Sequence, residues 1–255
     1  MQARQHSSVS TPGDRESLAE AVDATFAESA SATRRALIAG AEVRAFQPRQ
    51  TVLAQGDESR VGLVLEGYVG LRRTTVDGRE VITLVLSRGR VAPFMPFAGR
   101  PSTADLLALS AGRIALWPGG DVTSIAAGDP TFATSLLRHV ILTVEEVVER
   151  MDGLLYQNAL QRVARVLDQH AAIVFGDAPV VPRTYLPALV GTSREMTGRV
   201  LRLLESEGVV ERIGRDRLRL LDRDRLTSIA APASRAPATD RRNKFLAAPR
   251  RAVQE

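Results

Sequence analysis

Between residues 184 and 220 the spacing of apolar residues changes abruptly from a helical period to a strand period. Thr184-Tyr185-Leu186-Pro187-Ala188-Leu189-Val190 predicts a short helix starting near Thr184, because Pro187 is tolerated only in a first turn. Gly191-Thr192 supplies a tight connection, and Ser193 is a good N-cap for a second helix. Val200, Leu201 and Leu204 give that helix an inward face, and Gly208 closes it at the C-cap position. Beyond Gly208, Val209-Val210-Glu211-Arg212-Ile213 and Arg217-Leu218-Arg219-Leu220 flank the turn Gly214-Arg215-Asp216, a hairpin pattern. Leu218 and Leu220 face one way, Arg217 and Arg219 the other. Two short helices across a tight turn, followed by a hairpin with one basic side, describe a winged helix-turn-helix.

The chemistry of the second helix sits at its N-terminal end. Arg194 and Glu195 occupy the first turn, and Arg199 lies four residues after Glu195 on the same face. Arginine donates a forked pair of bonds to guanine O6 and N7, and glutamate accepts from cytosine N4. Taken alone, these residues also describe a solvated helix with an ordinary Glu–Arg ion pair. The flanking turn and wing favour a helix that enters a DNA major groove.

From about residue 183 to 221 the chain resembles the DNA-binding domain of the cyclic-AMP receptor protein/FNR (Crp/Fnr) family of bacterial transcription regulators. The run Ser193-Arg194-Glu195-Met196-Thr197-Gly198-Arg199-Val200-Leu201 is especially similar. The resemblance implies that Arg194, Glu195 and Arg199 contact base edges, and that Arg183 and Ser193 contact phosphates. Members with this set read half-sites resembling TGTGA. Met196 and Thr197 depart from the usual Thr-Val, a change that could retune one base pair. Arg215, Arg217 and Arg219 of the wing are expected on phosphates as well.

The 255 residues, 44% of them hydrophobic, suffice for two domains. No run approaches the roughly 18 apolar residues of a membrane span, and the first residues lack the apolar core of a signal peptide. A cytoplasmic protein is expected. With no cysteine, disulfides, thiolate metal sites and iron–sulfur clusters are excluded. The formal charge of +5 is compatible with a nucleic-acid partner without demanding one, and Lys244 is the sole lysine among 34 basic residues. No Ser/His/Asp arrangement, metal-ligand cluster or phosphate-cradling glycine loop suggests an enzyme.

Residues 1–30 read as a loose extension with at most one helix. From Arg44 to Pro118 short β-runs alternate with glycines, as in an all-β roll. Gly62–Glu66 and Tyr68–Arg72 are separated by Gly67, and Asp77-Gly78 turns the second run back into Glu80–Leu86. The glycines at 56, 67 and 89 resemble corner glycines of the family's cyclic-nucleotide-binding β-roll, expected over 31–128. Trp117 is expected to pack at the end of the last strand.

The resemblance also defines a phosphate-binding cassette in which a glutamate grips the ribose and an arginine neutralises the cyclic phosphate. Here residues 90–104 contain no glutamate, Ser102 stands where the arginine is expected, and Arg100 is displaced by two residues. A Thr-Ser pair that grips adenine in cyclic-AMP-responsive members falls at Val147-Val148. Cyclic AMP is therefore not the expected effector. Pro93-Phe94-Met95-Pro96-Phe97 reads as a core-filling loop. Alternatively Phe94, Met95, Phe97, Arg100, Ser102 and Thr103 line a pocket for another effector.

Asp129-Pro130 is a strong helix start. Beyond it Leu137, Ile141, Val144, Val148, Met151 and Leu155 recur at alternating spacings of four and three, an a/d seam. Such a seam packs on the helix's own domain or pairs with a second copy; the family's members dimerise through this helix, expected over 129–157. Glu145, Glu146, Glu149 and Arg150 lie off the seam on wet faces, and Gly153 marks a bend. One amphipathic helix is expected over 158–174, opening a DNA-binding domain that runs to 230. His139 and His170 read as surface or hydrogen-bonded helix residues. Residues 231–255 read as a disordered basic tail. The expected architecture is α+β: a double-stranded β-roll, a long dimerisation helix and a C-terminal winged helix-turn-helix. The expected partners are double-stranded DNA, a second copy and RNA polymerase. A cyclic-nucleotide-responsive activator with a degenerate cassette, or an effector module whose winged domain contacts protein, remain open.

Overall fold

A computed structural model describes residues 12–56, 60–176 and 179–231. The basic tail expected over 231–255 lies almost entirely outside the described residues, as does Asp57 of one corner. The first described elements are helices α1 (Pro12–Thr25) and α2 (Ser31–Gly40). Eight strands follow: β1 (Glu42–Phe46), β2 (Thr51–Leu53), β3 (Arg60–Glu66), β4 (Val69–Thr74), β5 (Glu80–Leu86), β6 (Val91–Ala92), β7 (Asp105–Ala108) and β8 (Gly112–Pro118). They form two four-stranded antiparallel sheets, ordered β1-β8-β3-β6 and β2-β7-β4-β5. The β4–β5 hairpin turns at Gly78 as its Asp-Gly sequence predicts, pairing Val69 with Leu86 and Thr74 with Glu80.

Phe46, Val64, Leu84, Leu86, Leu106 and Ile114 fill the space between the sheets. The outer face of the first sheet is apolar too, so β3 is buried along most of its length rather than at alternate positions. Val61, Leu63 and Leu65 of β3 meet Leu18, Val22 and Phe26 of α1 and its end, Leu37 of α2, and Phe132 of a later helix. Residues 12–25 are thus a packed helix and not a loose extension. Their helical stripe is short of large residues, and the partner that buries it is assembled only in three dimensions. Trp117 closes the same layer at 4% exposure and donates its Nε1–H to the Leu37 carbonyl oxygen at 2.8 Å. Gly67 occupies its corner at φ +81°, where an added Cβ would fall 2.4 Å from the Ala111 carbonyl oxygen.

Helix α3 (Gly119–Gly128) leads into α4 (Pro130–Tyr156), whose 27 residues span about 40 Å. Asp129 caps α4, accepting from the Thr131 and Phe132 amides, and also accepts from the Ala30 amide at the start of α2. Hydrogen bonds from Thr131 and Thr33 hold its carboxyl well below the usual range. Helix α4 is continuous through Gly153 and ends three residues later at Tyr156, with the Gln157 amide donating to the Gly153 carbonyl oxygen. The expected single helix over 158–174 is two, α5 (Ala159–Gln169) and α6 (Ala171–Val174), divided at His170. A 3-10 turn at Arg183–Tyr185 precedes α7 (Leu186–Val190), and α8 (Arg194–Ser206) follows after Gly191 at φ +71°. Helix α8 ends with Glu207 as C-cap, and Gly208 sits one residue later at φ +70°. Strands β9 (Val210–Ile213) and β10 (Arg217–Leu220) form the hairpin, and α9 (Arg223–Ala230) returns against α5. The core of this C-terminal domain extends across the junction to Ile82 and Leu107 of the second sheet and to Leu109 just beyond β7.

The two described histidines are both half-buried rather than surface groups. The His139 ring meets Phe26 edge-on at 6.1 Å, and its Nδ1 is buried without a hydrogen-bond partner. Burial pushes both imidazoles below their usual range, helped by Arg90 at His139 and by Arg150 at His170, where Glu146 opposes. Unfolded, each titrates near 6.5, so between that value and the lower folded one the unfolded chain binds more protons. Stability should therefore fall as pH drops below about 6.5. The carboxylates of Glu42, Asp129 and Glu205, whose folded values are lowered, add losses only below roughly pH 4.5. We expect a lower urea midpoint at about pH 5.5 than at about pH 7.5, and a smaller difference in His139→Phe. Equal midpoints would show that both imidazoles charge without penalty.

Candidate nucleic-acid interface

Helix α8 is held from both ends. At its start the Ser193 hydroxyl oxygen accepts from the Met196 amide at 3.1 Å, and the Thr197 hydroxyl donates to the Ser193 carbonyl oxygen at 3.0 Å. Toward its end Glu205 accepts from the Arg212 amide at 3.2 Å and from Arg212 Nε at 2.7 Å, joining the helix to β9. These bonds hold the Glu205 carboxyl below its usual range. The Arg183 amide donates to the Asp216 carbonyl oxygen at 3.0 Å, tying the entry of the motif to the wing turn.

Thr197, Val200, Leu201 and Leu204 form the buried face of α8. Arg194, Glu195 and Arg199 are exposed, and Arg199 pairs with Glu195 at 2.8 Å. Met196 packs partly on the domain core, and Thr197 is buried with its hydroxyl engaged on the backbone. Any effect of these two positions on base preference is therefore expected through the seating of α8 in the case of Thr197, while Met196 stays partly accessible. Sequence reasoning missed Arg202, exposed two turns beyond Arg194. It lines a groove with Arg183, Arg194 and Arg212, and the eight-residue spacing of 194 and 202 was the available signal.

In the wing, Leu218 is buried while Arg215, Arg217 and Arg219 are exposed, Arg219 pairing with Glu211 at 2.9 Å. The basic and apolar sides separate as the alternation predicts. Ser193 is exposed, Arg183 half-buried beside the wing. The five residues expected on phosphates therefore fall at three places, the 3-10 turn before α7, the N-cap of α8 and the wing.

On α4, Leu137, Ile141, Val144, Val148, Met151 and Leu155 are each half or more exposed, and Leu142, Leu154 and Tyr156 widen the apolar stripe. The faces expected to be wet are not all so. Glu146 pairs with Arg90 and Glu149 with Arg165, and Arg150 is half-buried against the C-terminal domain. A helix lying between its own β-roll and a free side has two packed flanks, which the heptad pattern does not reveal.

The cassette segment is engaged locally. Phe94 and Phe97, centroids 6.1 Å apart, pack on the helical layer. The Ser102 hydroxyl donates to the Ala104 carbonyl oxygen at 2.7 Å, while Arg100 and Thr103 are exposed and Met95 half-buried. These residues line none of the cavities described below. Among the described residues no cluster of His, Cys, Asp and Glu could hold a metal ion, and no helix is long and apolar enough to cross a membrane.

A β-roll, a long helix and a winged helix-turn-helix in this order agree with two family matches. Residues 43–129 match the cyclic nucleotide-binding domain and residues 161–229 the Crp-like helix-turn-helix domain. The chain belongs to the Crp/Fnr family of transcription regulators. A cyclic AMP receptor protein of Thermus thermophilus is 29% identical to this regulator over 170 residues, covering 66% of this chain and 78% of that protein. The solved structure of FixK2 from Bradyrhizobium japonicum is similar at a TM-score of 0.64 and 20% identity, covering 76% of this chain and 99% of its own. A CRP/FNR-family transcriptional regulator from Thermus thermophilus also scores 0.64, with 22% identity, 74% of this chain and 98% of its own. These structures share the fold of the Crp/Fnr regulator described here.

Proposed function

We propose that this Crp/Fnr regulator is a homodimer that reads an inverted-repeat operator with TGTGA-like half-sites. The observation that carries the reading is the outward display of Arg194, Glu195 and Arg199 at the N-terminal end of α8. Arg194 and Arg199 fork onto guanines, and Glu195 accepts from a cytosine amine. Arg183, Ser193, Arg215, Arg217 and Arg219 hold the phosphates on either side, fixing the register of α8 in the groove. The uncovered apolar stripe of α4, from Leu137 to Leu155, supports self-pairing, because a run of large apolar side chains in water is costly unless a partner covers it. A two-fold pair presents its two recognition helices about 34 Å apart, one helical turn of DNA.

The regulator works in the cytoplasm, touches RNA polymerase at its promoters and acts without cyclic AMP. Supporting the last point, no glutamate stands in the cassette segment, Ser102 is occupied by its own backbone, and valines stand at 147 and 148. A mobility-shift titration of the full chain on a TGTGA-type inverted repeat and on a scrambled duplex tests the reading. Specific DNA should bind at least about 10³-fold tighter at physiological salt, unchanged by cyclic AMP. Equal affinity for both duplexes would refute the operator, and a cyclic AMP requirement would refute the effector assignment.

A further inference from the structure

A cavity of about 300 Å³ opens where α4, β5, α5 and α7 meet. None of residues 90–104 lines it, so it is separate from the cassette segment. Leu84, Val85 and Val190 give it an apolar wall. The opposite wall carries Arg150 and Gln157 of α4 and its C-cap, with Arg162, Arg165 and His170 of α5 and its end.

Buried polar atoms ordinarily find partners, and the exceptions need a reason. Six buried side-chain atoms lack one among the described residues, and three of them belong to this cavity: Arg150 Nη2, Gln157 Oε1 and Arg162 Nε. Gln157 is only 7% exposed; its Nε2 donates to the Ala230 carbonyl oxygen at 3.3 Å, which leaves Oε1 free. Arg162 spends Nη1 on the Gln157 carbonyl oxygen at 2.8 Å. Among the described residues neither Arg150 nor Arg162 has a carboxylate partner, because Glu146 and Glu149, which also line the cavity, are taken by Arg90 and Arg165. The positive character is felt locally: burial alone pushes the Arg150 guanidinium below its usual range, and Arg150 helps push His170 down.

Water could meet the hydrogen-bonding needs of these groups but would not neutralise two partly buried guanidiniums. An oxyanion does both, because its oxygens accept from Arg150 and Arg162 at once. The free Gln157 oxygen additionally requires a donor, which a hydroxyl on the same molecule supplies. The volume matches a small metabolite-sized ligand with an apolar stretch toward Leu84 and Val190.

We propose that this cavity is an effector site for a small hydroxylated organic anion, a phosphate monoester or a carboxylate, whose binding alters DNA affinity. The coupling rests on the DNA-binding reading above and on one proximity. A Cβ added at Gly191, the turn between α7 and α8, would lie 3.5 Å from Leu154 Cδ2 and 3.9 Å from Arg150 Nη2. The turn that sets the angle of α8 therefore lies beside the side chain that an anion would pull.

Calorimetric titration of the full chain without DNA tests the site, using glycerol 3-phosphate for the phosphate source, malate for the carboxylate source and sulfate as a bare anion. At least one of the two organic anions should give saturable one-site binding, tighter than sulfate. Arg150→Met should weaken it by about tenfold or more. The same substitution should raise the melting temperature of the unliganded protein, since it removes a buried charge without a partner; a merely structural arginine would lower it. Gly153→Val offers a second variant, because a Cβ there lies 3.1 Å from Gln157 Oε1 and 3.7 Å from Arg165 Nη1, filling the cavity. Saturating ligand should then shift the operator affinity of the parent protein by about fivefold or more and leave Arg150→Met unmoved. Absence of saturable binding by both organic anions, binding that survives both substitutions, or binding without a change in operator affinity would overturn the proposal. Calorimetry needs no DNA, so a failure of the operator reading leaves its result intact and distinguishable.

Discussion

Val144→Glu combined with Val148→Glu should yield a folded monomer that has lost tight operator binding. Both side chains are half exposed in the single chain, at 54% and 50%, so charge there does not disturb the β-roll or the C-terminal domain. In a self-paired seam the same two positions face their counterparts, where buried like charges oppose association. Losing the pair removes the advantage of two linked recognition helices, an avidity worth about 10²- to 10⁴-fold. Light scattering after size exclusion and a mobility shift on the inverted repeat read the two effects, with circular dichroism as the check on folding. A double variant that remains dimeric would mean that the apolar stripe of α4 is covered by something other than a second copy.

Arg199→Ala should reduce operator affinity steeply and nonspecific affinity little. A forked Arg–guanine contact discriminates by about 1–3 kcal/mol, and a dimer makes two, giving about 2–6 kcal/mol on the operator. That is roughly 30-fold to 10⁴-fold in Kd. The lost Glu195 ion pair contributes little to stability, because both side chains are well exposed. Arg217→Ala or Arg219→Ala should behave differently, weakening operator and scrambled duplexes alike and flattening the dependence of affinity on salt by about one charge per half-site. Titrations of all three variants on both duplexes at two salt concentrations separate the roles. Identical behaviour of Arg199→Ala and the wing variants would remove the division between base and phosphate contacts.

The parts of the molecule readable from sequence are those whose cause is local. Ser193 and Asp129 begin helices because their side chains bond the next free amides, and Gly191, Gly208 and Gly78 turn the chain because each holds positive φ. The switch of period after Gly208 needs nothing beyond the wing itself. Helix α1 was not readable in this way, since Leu18, Val22 and Phe26 gain meaning only against the outer face of β3. Arg150 was misread for the same reason: its heptad position suggests water, while β5, α5 and α7 enclose it. Arg202 is set eight residues from Arg194, but its place beside Arg183 and Arg212 depends on how the 3-10 turn and β9 pack on α8, which spacing along the helix does not show. The engagement of the Thr197 hydroxyl on the Ser193 carbonyl oxygen is likewise a matter of local helix geometry that residue type alone does not announce.

The bond between Glu205 and Arg212, with that between Arg183 and Asp216, makes helix and wing one solid reading head. Such a head joins α4 through the short link at Gln157-Asn158, where α4 gives way to α5. In the paired reading proposed above, a ligand at the α4–α7 junction would act chiefly on the separation and tilt of the two heads. The match between their span and the pitch of the duplex would then change, while the letters each head prefers stay the same.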